Sequence, residues 1–482
     1  MSDDYDLVVI GGGAAGENAA QYAVQFSGLR AAIVEESLVG GACSYWACIP
    51  SKALLRPVVA ARAAGRVPGV RAEITDVDEV LARRDEVVNH HDDASQVAWA
   101  TKVGIDIVRG RGHLIGERTV RVQGSEGTRD LRARHAVVLA TGSTARIPDV
   151  PGLLDAAPWT SDDATSMTVV PGAVAVLGGG VVGCEAATWL AGLGASVTLI
   201  EPGPRLLPSA EPRASALVLD GLVDAGVEVR LGRAVVAVSR DVGVSVTLDD
   251  GGHVLSDELL VATGRLPARN NLGLDAVGVD ISAWTTDVRM RVDGGDGWLY
   301  AVGDINGGSS MLTHVGKHQG RVAGEDICRR FGAHAMVHDV WAPPKPTEFA
   351  AVPQVVFTDP EVASVGMTVA VAVAAGLCPL TVEYDMGGVA GASLLDPAYQ
   401  GWAQLVIDPA DFRLLGATFV GLEASELLFS AGVALTSGID LRQMWNVVPS
   451  YPTVSEVWLR LLERLRRTTW TGAQHDPRLD HA

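Results

Sequence analysis

Short apolar runs, glycine clusters and alanine-rich stretches recur along the chain in a fixed order. Residues 6–10 are almost wholly apolar and stop at Gly11-Gly12-Gly13. A run of that length, bounded by glycine, predicts a buried strand. The alanine-rich stretch that follows predicts a helix, and the apolar run 31–34 a second strand. The order repeats further on. Residues 173–177 form an apolar run, Gly178-Gly179-Gly180 follows, and the apolar run 196–200 closes the repeat after another alanine-rich stretch. Strand, helix and strand in succession predict parallel α/β units, and the duplication predicts two of them. Runs at 136–140 and 259–262 each end in Ala-Thr-Gly, and another at 299–302 ends in Gly303-Asp304. From about Pro346 the pattern changes. Strands are expected at 352–357, 402–407 and 414–419, and helices at 425–435 and 454–467, an α+β module without a glycine loop.

Composition narrows the function classes. A chain of 482 residues holds about three domains, and 48% hydrophobic residues fill large cores without disulfide staples. The net charge of -19 disfavours nucleic acid and anionic membrane surfaces as partners. No apolar run has the length of a membrane-spanning helix, and the acidic start reads as no signal peptide. Five cysteines are too few for a secreted scaffold, so a cytoplasmic protein is expected. Cys184, Cys328 and Cys378 stand alone and are expected to be small buried residues.

The glycine clusters carry chemistry. Gly11, Gly13 and Gly16 have the G-x-G-x-x-G spacing, and Glu35 ends the second strand about 20 residues beyond. In that arrangement Gly11 makes the tight turn, Gly13 admits a pyrophosphate, and Gly16 lets helix and strand pack. The helix N-terminus stabilises phosphate, and Glu35 accepts ribose hydroxyls. Gly178, Gly180, Gly183 and Glu201 repeat the motif. Two dinucleotides are therefore expected. Glu201 favours NADH over NADPH because a carboxylate repels a 2′-phosphate, with Arg205 near enough to soften the preference.

Between the repeats lies Gly41-Ala42-Cys43-Ser44-Tyr45-Trp46-Ala47-Cys48-Ile49-Pro50-Ser51-Lys52. Two cysteines five apart, beside a nucleotide motif, suit a dithiol that opens and closes against a bound flavin. A zinc pair would show shorter spacing and two more ligands, so no metal site is expected.

These motifs, in this order, resemble the pyridine nucleotide-disulfide oxidoreductases, which include dihydrolipoamide dehydrogenase, glutathione reductase and mercuric reductase. The resemblance runs from Asp6 to about Trp458. It implies FAD and NAD(P)H as cofactors, a homodimer, and a small-molecule electron acceptor. It implies an α/β chain with two Rossmann-like dinucleotide-binding domains and an α+β dimerisation domain. The FAD domain would occupy 1–150 and 284–344, the NAD(P) domain 151–283, and the dimerisation domain 345–482. Cys48 would lie against the flavin and Cys43 would exchange with substrate. Lys52 would sit near the flavin nitrogen that takes the hydride, paired with Glu185. Gly41, Thr141, Gly142 and Asp304 would hold FAD, with Asp304 on the ribityl chain, and Gly264 would lie at the NAD(P) site.

Two departures bear on the acceptor. Most members carry His-Pro-Thr-x-x-Glu near the C-terminus, the histidine serving as acid-base for the outer thiol. Here the frame reads Tyr451-Pro452-Thr453-Val454-Ser455-Glu456. Tyrosine, with an ordinary pKa of about 10, is a poor base at neutral pH. Mercuric reductases share a tyrosine there but add a C-terminal cysteine pair, which this tail lacks. The expected acceptor is a disulfide; quinones, metal ions and other small electrophiles are the alternative. Tyr45 and Trp46 are bulky for their place, and either pack inward or form a platform for a flat acceptor. His90 and His91 are expected on a solvated helical surface. His314 and His318 are candidates to substitute for the missing histidine.

Overall fold

The computed structural model describes residues 3–308, 311–333 and 352–469. Its first layer is a seven-stranded sheet. Strands β1 (Asp4–Ile10), β2 (Ala31–Glu35), β3 (Ile105–Arg109), β4 (Arg111–Gly116), β5 (Thr119–Gly124) and β6 (Gly127–Leu139) lie in the order β3-β2-β1-β6-β5-β4. β6 has two halves. Its C-terminal half runs parallel to β1, while its N-terminal half pairs antiparallel with β5. Helix α1 (Ala14–Val24) joins β1 to β2, as the alanine-rich run predicts. Helices α2 (Gly41–Tyr45) and α3 (Cys48–Gly65) carry the two cysteines, separated by a break at Trp46 and Ala47.

The second unit repeats the first. Strands β7 (Ala173–Leu177), β8 (Ser196–Glu201), β9 (Glu228–Leu231) and β10 (Glu258–Val261) form a parallel sheet in the order β9-β8-β7-β10, with α4 (Val181–Gly192) between β7 and β8. Ser143–Ala145 and Arg265–Pro267 pair antiparallel as the two connections between the units. The return comes earlier than residue 284. Leu272, Leu274 and Val279 are buried in one cluster with Tyr5, Val8 and Leu139 of the first unit. The chain then adds β11 (Leu299–Ala301) beside β6. Helix α5 (Thr313–Phe331) packs on α1 so closely that a Cβ at Gly320 would lie 2.3 Å from the Ala15 carbonyl oxygen.

The third unit is antiparallel. Strands β12 (Pro353–Val356), β13 (Val362–Gly366), β14 (Leu380–Asp385), β15 (Trp402–Ile407) and β16 (Leu414–Val420) lie in the order β12-β13-β16-β15-β14. Helices α6 (Leu428–Ser437) and α7 (Val457–Thr469) cover it, each preceded by a 3-10 turn where the sequence predicts continuous helix. The boundary expected at 344/345 and the C-terminal tail lie outside the described residues. Cys184 and Cys328 are buried as expected, but Cys378 is exposed.

Candidate functional site

The glycines of both repeats divide the work in the same way. Gly11 and Gly178 turn the chain at φ of 105° and 106°, each pressed against the backbone of the strand beside it, at Ala140 and Ala262. A Cβ at Gly16 would lie 2.0 Å from the Gly11 carbonyl oxygen, and one at Gly183 1.9 Å from that of Gly178. The middle glycines face open space instead: nothing lies within 4 Å of a Cβ at Gly180, and only Gly41 approaches one at Gly13. Each open glycine caps a helix N-terminus, where backbone N–H groups await an anion. The two carboxylates are set identically. Glu35 accepts from Gly12 N at 2.6 Å and Ser37 N at 2.7 Å; Glu201 accepts from Gly179 N and Gly203 N, both at 2.7 Å. Lone pairs remain on both for ribose hydroxyls. Both loops thus fit a dinucleotide.

A cavity of about 1320 Å³ connects the second loop to the dithiol. Cys43, Cys48, Lys52, Gly178, Gly180, Glu185, Glu201, Gly264 and Asp304 all line it. Its volume exceeds that of a single small-ligand site. Thr141 and Gly142 stand apart, and the Thr141 hydroxyl donates to the Ala268 carbonyl at 2.6 Å. Asp304 accepts from Ser143 Oγ at 2.6 Å, and Arg265 Nε donates to the same Oγ at 2.7 Å. That network fixes one carboxylate oxygen of a residue that lines the cavity.

Cys43 and Cys48 are free thiols, both half-buried, and they share a hydrogen bond. That bond, with help from the Thr313 hydroxyl and the Lys52 ammonium, lowers the pKa of Cys48 to about 6. The same bond pushes Cys43 upward, because its proton bridges to the other sulfur. The two shifts run in opposite directions and favour the negative charge on Cys48 over Cys43. Thr313 Oγ1 lies 3.3 Å from Cys48 Sγ. Lys52 Nζ lies 2.6 Å from Glu185 Oε2, a buried carboxylate paired as burial requires.

Thr313 and Phe357, the latter beside Lys52, are the functional neighbours that motif reading misses. Each enters from a remote segment as a single side chain.

The aromatic pair is accounted for by packing. Tyr45 is buried, and Trp46 packs against Tyr45 and His91 at centroid distances of 5.6 and 5.8 Å without lining the cavity. His90 and His91 sit in a 3-10 turn with positive φ, not in a helix, and His91 is half-buried. His314 lines the cavity; its Nε2 lies 2.8 Å from the Pro353 carbonyl, to which it donates, leaving Nδ1 as the acceptor. His318 Nδ1 accepts from Arg321 at 3.0 Å. Tyr451 is 75% exposed, far from burial in its own chain. Glu456 is 4% exposed, with Oε1 bound to Arg460 at 2.6 Å and Oε2 buried without a partner. Among the described residues no helix is long and apolar enough to cross a membrane, and no cluster fit for a metal ion occurs.

Comparison with known proteins places this geometry. Residues 5–320 match the family described as pyridine nucleotide-disulphide oxidoreductase, and residues 352–461 match its dimerisation domain. Dihydrolipoyl dehydrogenase of Chlorobaculum tepidum is 32% identical over 95% of this chain and 96% of its own, and that of Haloferax volcanii 31% over 95% of each. Among solved structures, the Cu(II) complex of the HOCl-induced flavoprotein disulfide reductase RclA from Escherichia coli aligns with a TM-score of 0.81 at 25% identity, covering 96% of this chain and 99% of that one. LpdA from Mycobacterium tuberculosis aligns at 0.82 and 25%, covering 95% and 99%. The dimerisation domain marks a homodimer. With two dinucleotide loops, the second sharing a cavity with a thiol pair, the chain belongs to the pyridine nucleotide-disulphide oxidoreductases and is a flavoprotein disulfide oxidoreductase of the dihydrolipoamide dehydrogenase type.

Proposed function

We propose that this protein passes electrons from NADH through FAD and the Cys43–Cys48 pair to an acceptor that needs no protein base at the outer thiol. The first glycine loop, Glu35 and Asp304 would hold FAD, and the second loop with Glu201 would hold NADH. Held there, FAD would supply the two-electron chemistry that links the hydride of NADH to the disulfide. Lys52 supplies positive charge beside the site, and Glu185 keeps that charge in place. Two electrons and one proton open the disulfide; the proton goes to Cys43, and Cys48 is left as the thiolate.

NADH is favoured on a specific ground. Arg205 donates to the carbonyls of Ala210 at 2.8 Å and Pro208 at 2.5 Å, so its guanidinium is engaged in its own loop. The carboxylate of Glu201 then sets the charge at the ribose.

The observation that carries the acceptor reading is the arrangement of the thiols. The raised pKa of Cys43 favours the proton on the sulfur read as meeting substrate, while Tyr451 stands where the family's base would be and Glu456 is bound to Arg460. A thiophilic cation such as Cu(II), the ion bound in the RclA complex, displaces a thiol proton to water on coordination and requires no protein base. Disulfide exchange is the second reading, favoured by the 32% identity to dihydrolipoyl dehydrogenase. A panel of Cu(II), a quinone and lipoamide, assayed with NADH and with NADPH, tests both. The proposal expects Cu(II) reduction, detected with a Cu(I) chelator, to depend on Cys43 and Cys48 and to exceed lipoamide turnover; faster lipoamide turnover rejects it.

A further inference from the structure

One residue of the dimerisation domain reaches across to the redox helix and touches both members of its ion pair. The Lys52 ammonium lies 4.9 Å from the ring centroid of Phe357. The backbone N–H of the same residue donates to Glu185 Oε1 at 3.0 Å, while Lys52 holds Glu185 Oε2. The segment around Phe357 is fastened in turn by α3 itself. Asp359 takes Arg62 Nε at 3.2 Å and Arg66 Nη1 at 2.8 Å, and Arg66 Nε reaches Asp396 at 2.8 Å. Helix α3 therefore carries Cys48 and Lys52 at its start, and at its end the arginines that hold the segment gripping Lys52.

We infer that Phe357 is a positioning residue for the dithiol: its ring face and its backbone N–H hold the Lys52–Glu185 pair so that the ammonium stays beside Cys48. The inference rests on reading Cys43 and Cys48 as the redox pair. Lysine is a point charge on a flexible stem, and the Lys52 side chain is 35% exposed. Glu185 alone sets a distance but not a direction. The ring adds a second attraction from another side, and cation–π contacts act over this range. The groups that face Cys48 are Cys43 of α2, Thr313 of α5, Lys52 of its own helix and Glu185 of α4, with Lys317 of α5 acting on Cys43. Of these, Lys52 is the cation whose place depends on the dimerisation domain.

The test measures the pH midpoint of the Cys48 thiolate in the reduced holoenzyme. The signal is the ultraviolet thiolate absorbance, taken as a difference from Cys48→Ser, with the thiolate-to-flavin band as a second signal. Phe357→Leu and Phe357→Met remove the π face and keep apolar volume, and both are expected to raise the midpoint by roughly half a pH unit. Phe357→Tyr keeps the face and is expected to match the wild type. Should Phe357→Leu fail to fold, Phe357→Met decides. Unchanged midpoints in the variants without a ring overturn the inference while leaving the redox pair intact. A wild-type enzyme that shows no Cys48-dependent thiolate after NADH reduction overturns the pair and the inference together.

Discussion

At the scale of single residues, Glu456 is the most telling. A carboxylate oxygen buried without a donor is costly, and Glu456 Oε2 is one. Tyr451, five residues earlier, stands exposed instead of satisfying it. Restoring an imidazole by Tyr451→His gives Glu456 an N–H donor to orient and gives the partner subunit's outer thiol a base. General acid-base catalysis contributes about 10²–10⁴-fold, so a gain of at least about tenfold in lipoamide turnover is expected in steady-state assays, with NADH-to-flavin reduction unchanged. No gain would mean that the missing histidine is not what limits disulfide exchange. Glu201 gives a second prediction at this scale. Removing its charge by Glu201→Ala is expected to lower the ratio of kcat/KM for NADH over NADPH about tenfold or more, through loss of the proposed repulsion of a 2′-phosphate. An unchanged ratio would shift the discrimination elsewhere in the loop.

At the scale of elements, the strand–glycine–helix units decide what binds. Gly16 has no room for a methyl group, since its neighbour is the Gly11 carbonyl and not a flexible side chain. Gly16→Ala is therefore expected to push α1 off the sheet, lower stability by about 1–3 kcal/mol, and reduce the bound flavin per chain. Thermal melting and flavin absorbance check both, and full flavin content would refute the close-packing role. These units were legible in the sequence because every part of them is contiguous: apolar run, spaced glycines, helix and terminal carboxylate. β6 was only half legible. Its C-terminal half is buried on both faces and reads as a strand, but Thr128 to Arg134 alternates charged and apolar residues on a half-exposed antiparallel edge. Thr313 and Phe357 were not legible at all. Each acts through contacts made across more than a hundred residues of chain, and no local spacing encodes such contacts. Trp46 misleads for the opposite reason: it lies beside the cysteines in sequence, yet the break between α2 and α3 turns its ring toward His91.

At the scale of the molecule, the cavity is bounded partly by a surface that a single chain leaves open. Leu428, Phe429 and Val433 of α6 line it, and Phe429 is 82% exposed. Beyond them Val447, Val448 and Tyr451 form an exposed strip, with Val448 at 89%. So much apolar side chain in water marks an interface, and the dimerisation domain identifies the occupant as a second copy. The two dinucleotide loops, by contrast, are each complete within one chain. Dimerisation should thus govern the thiol half-reaction more than the nicotinamide half-reaction. Charges placed on the strip by Val447→Asp with Val448→Asp are expected to give a monomer by light scattering. That monomer should still reduce its flavin with NADH in stopped flow, yet lose most turnover with any acceptor that reacts at Cys43. Equal loss of both half-reactions would show that the partner subunit also shapes the flavin site, and full acceptor turnover by a monomer would show that one chain suffices.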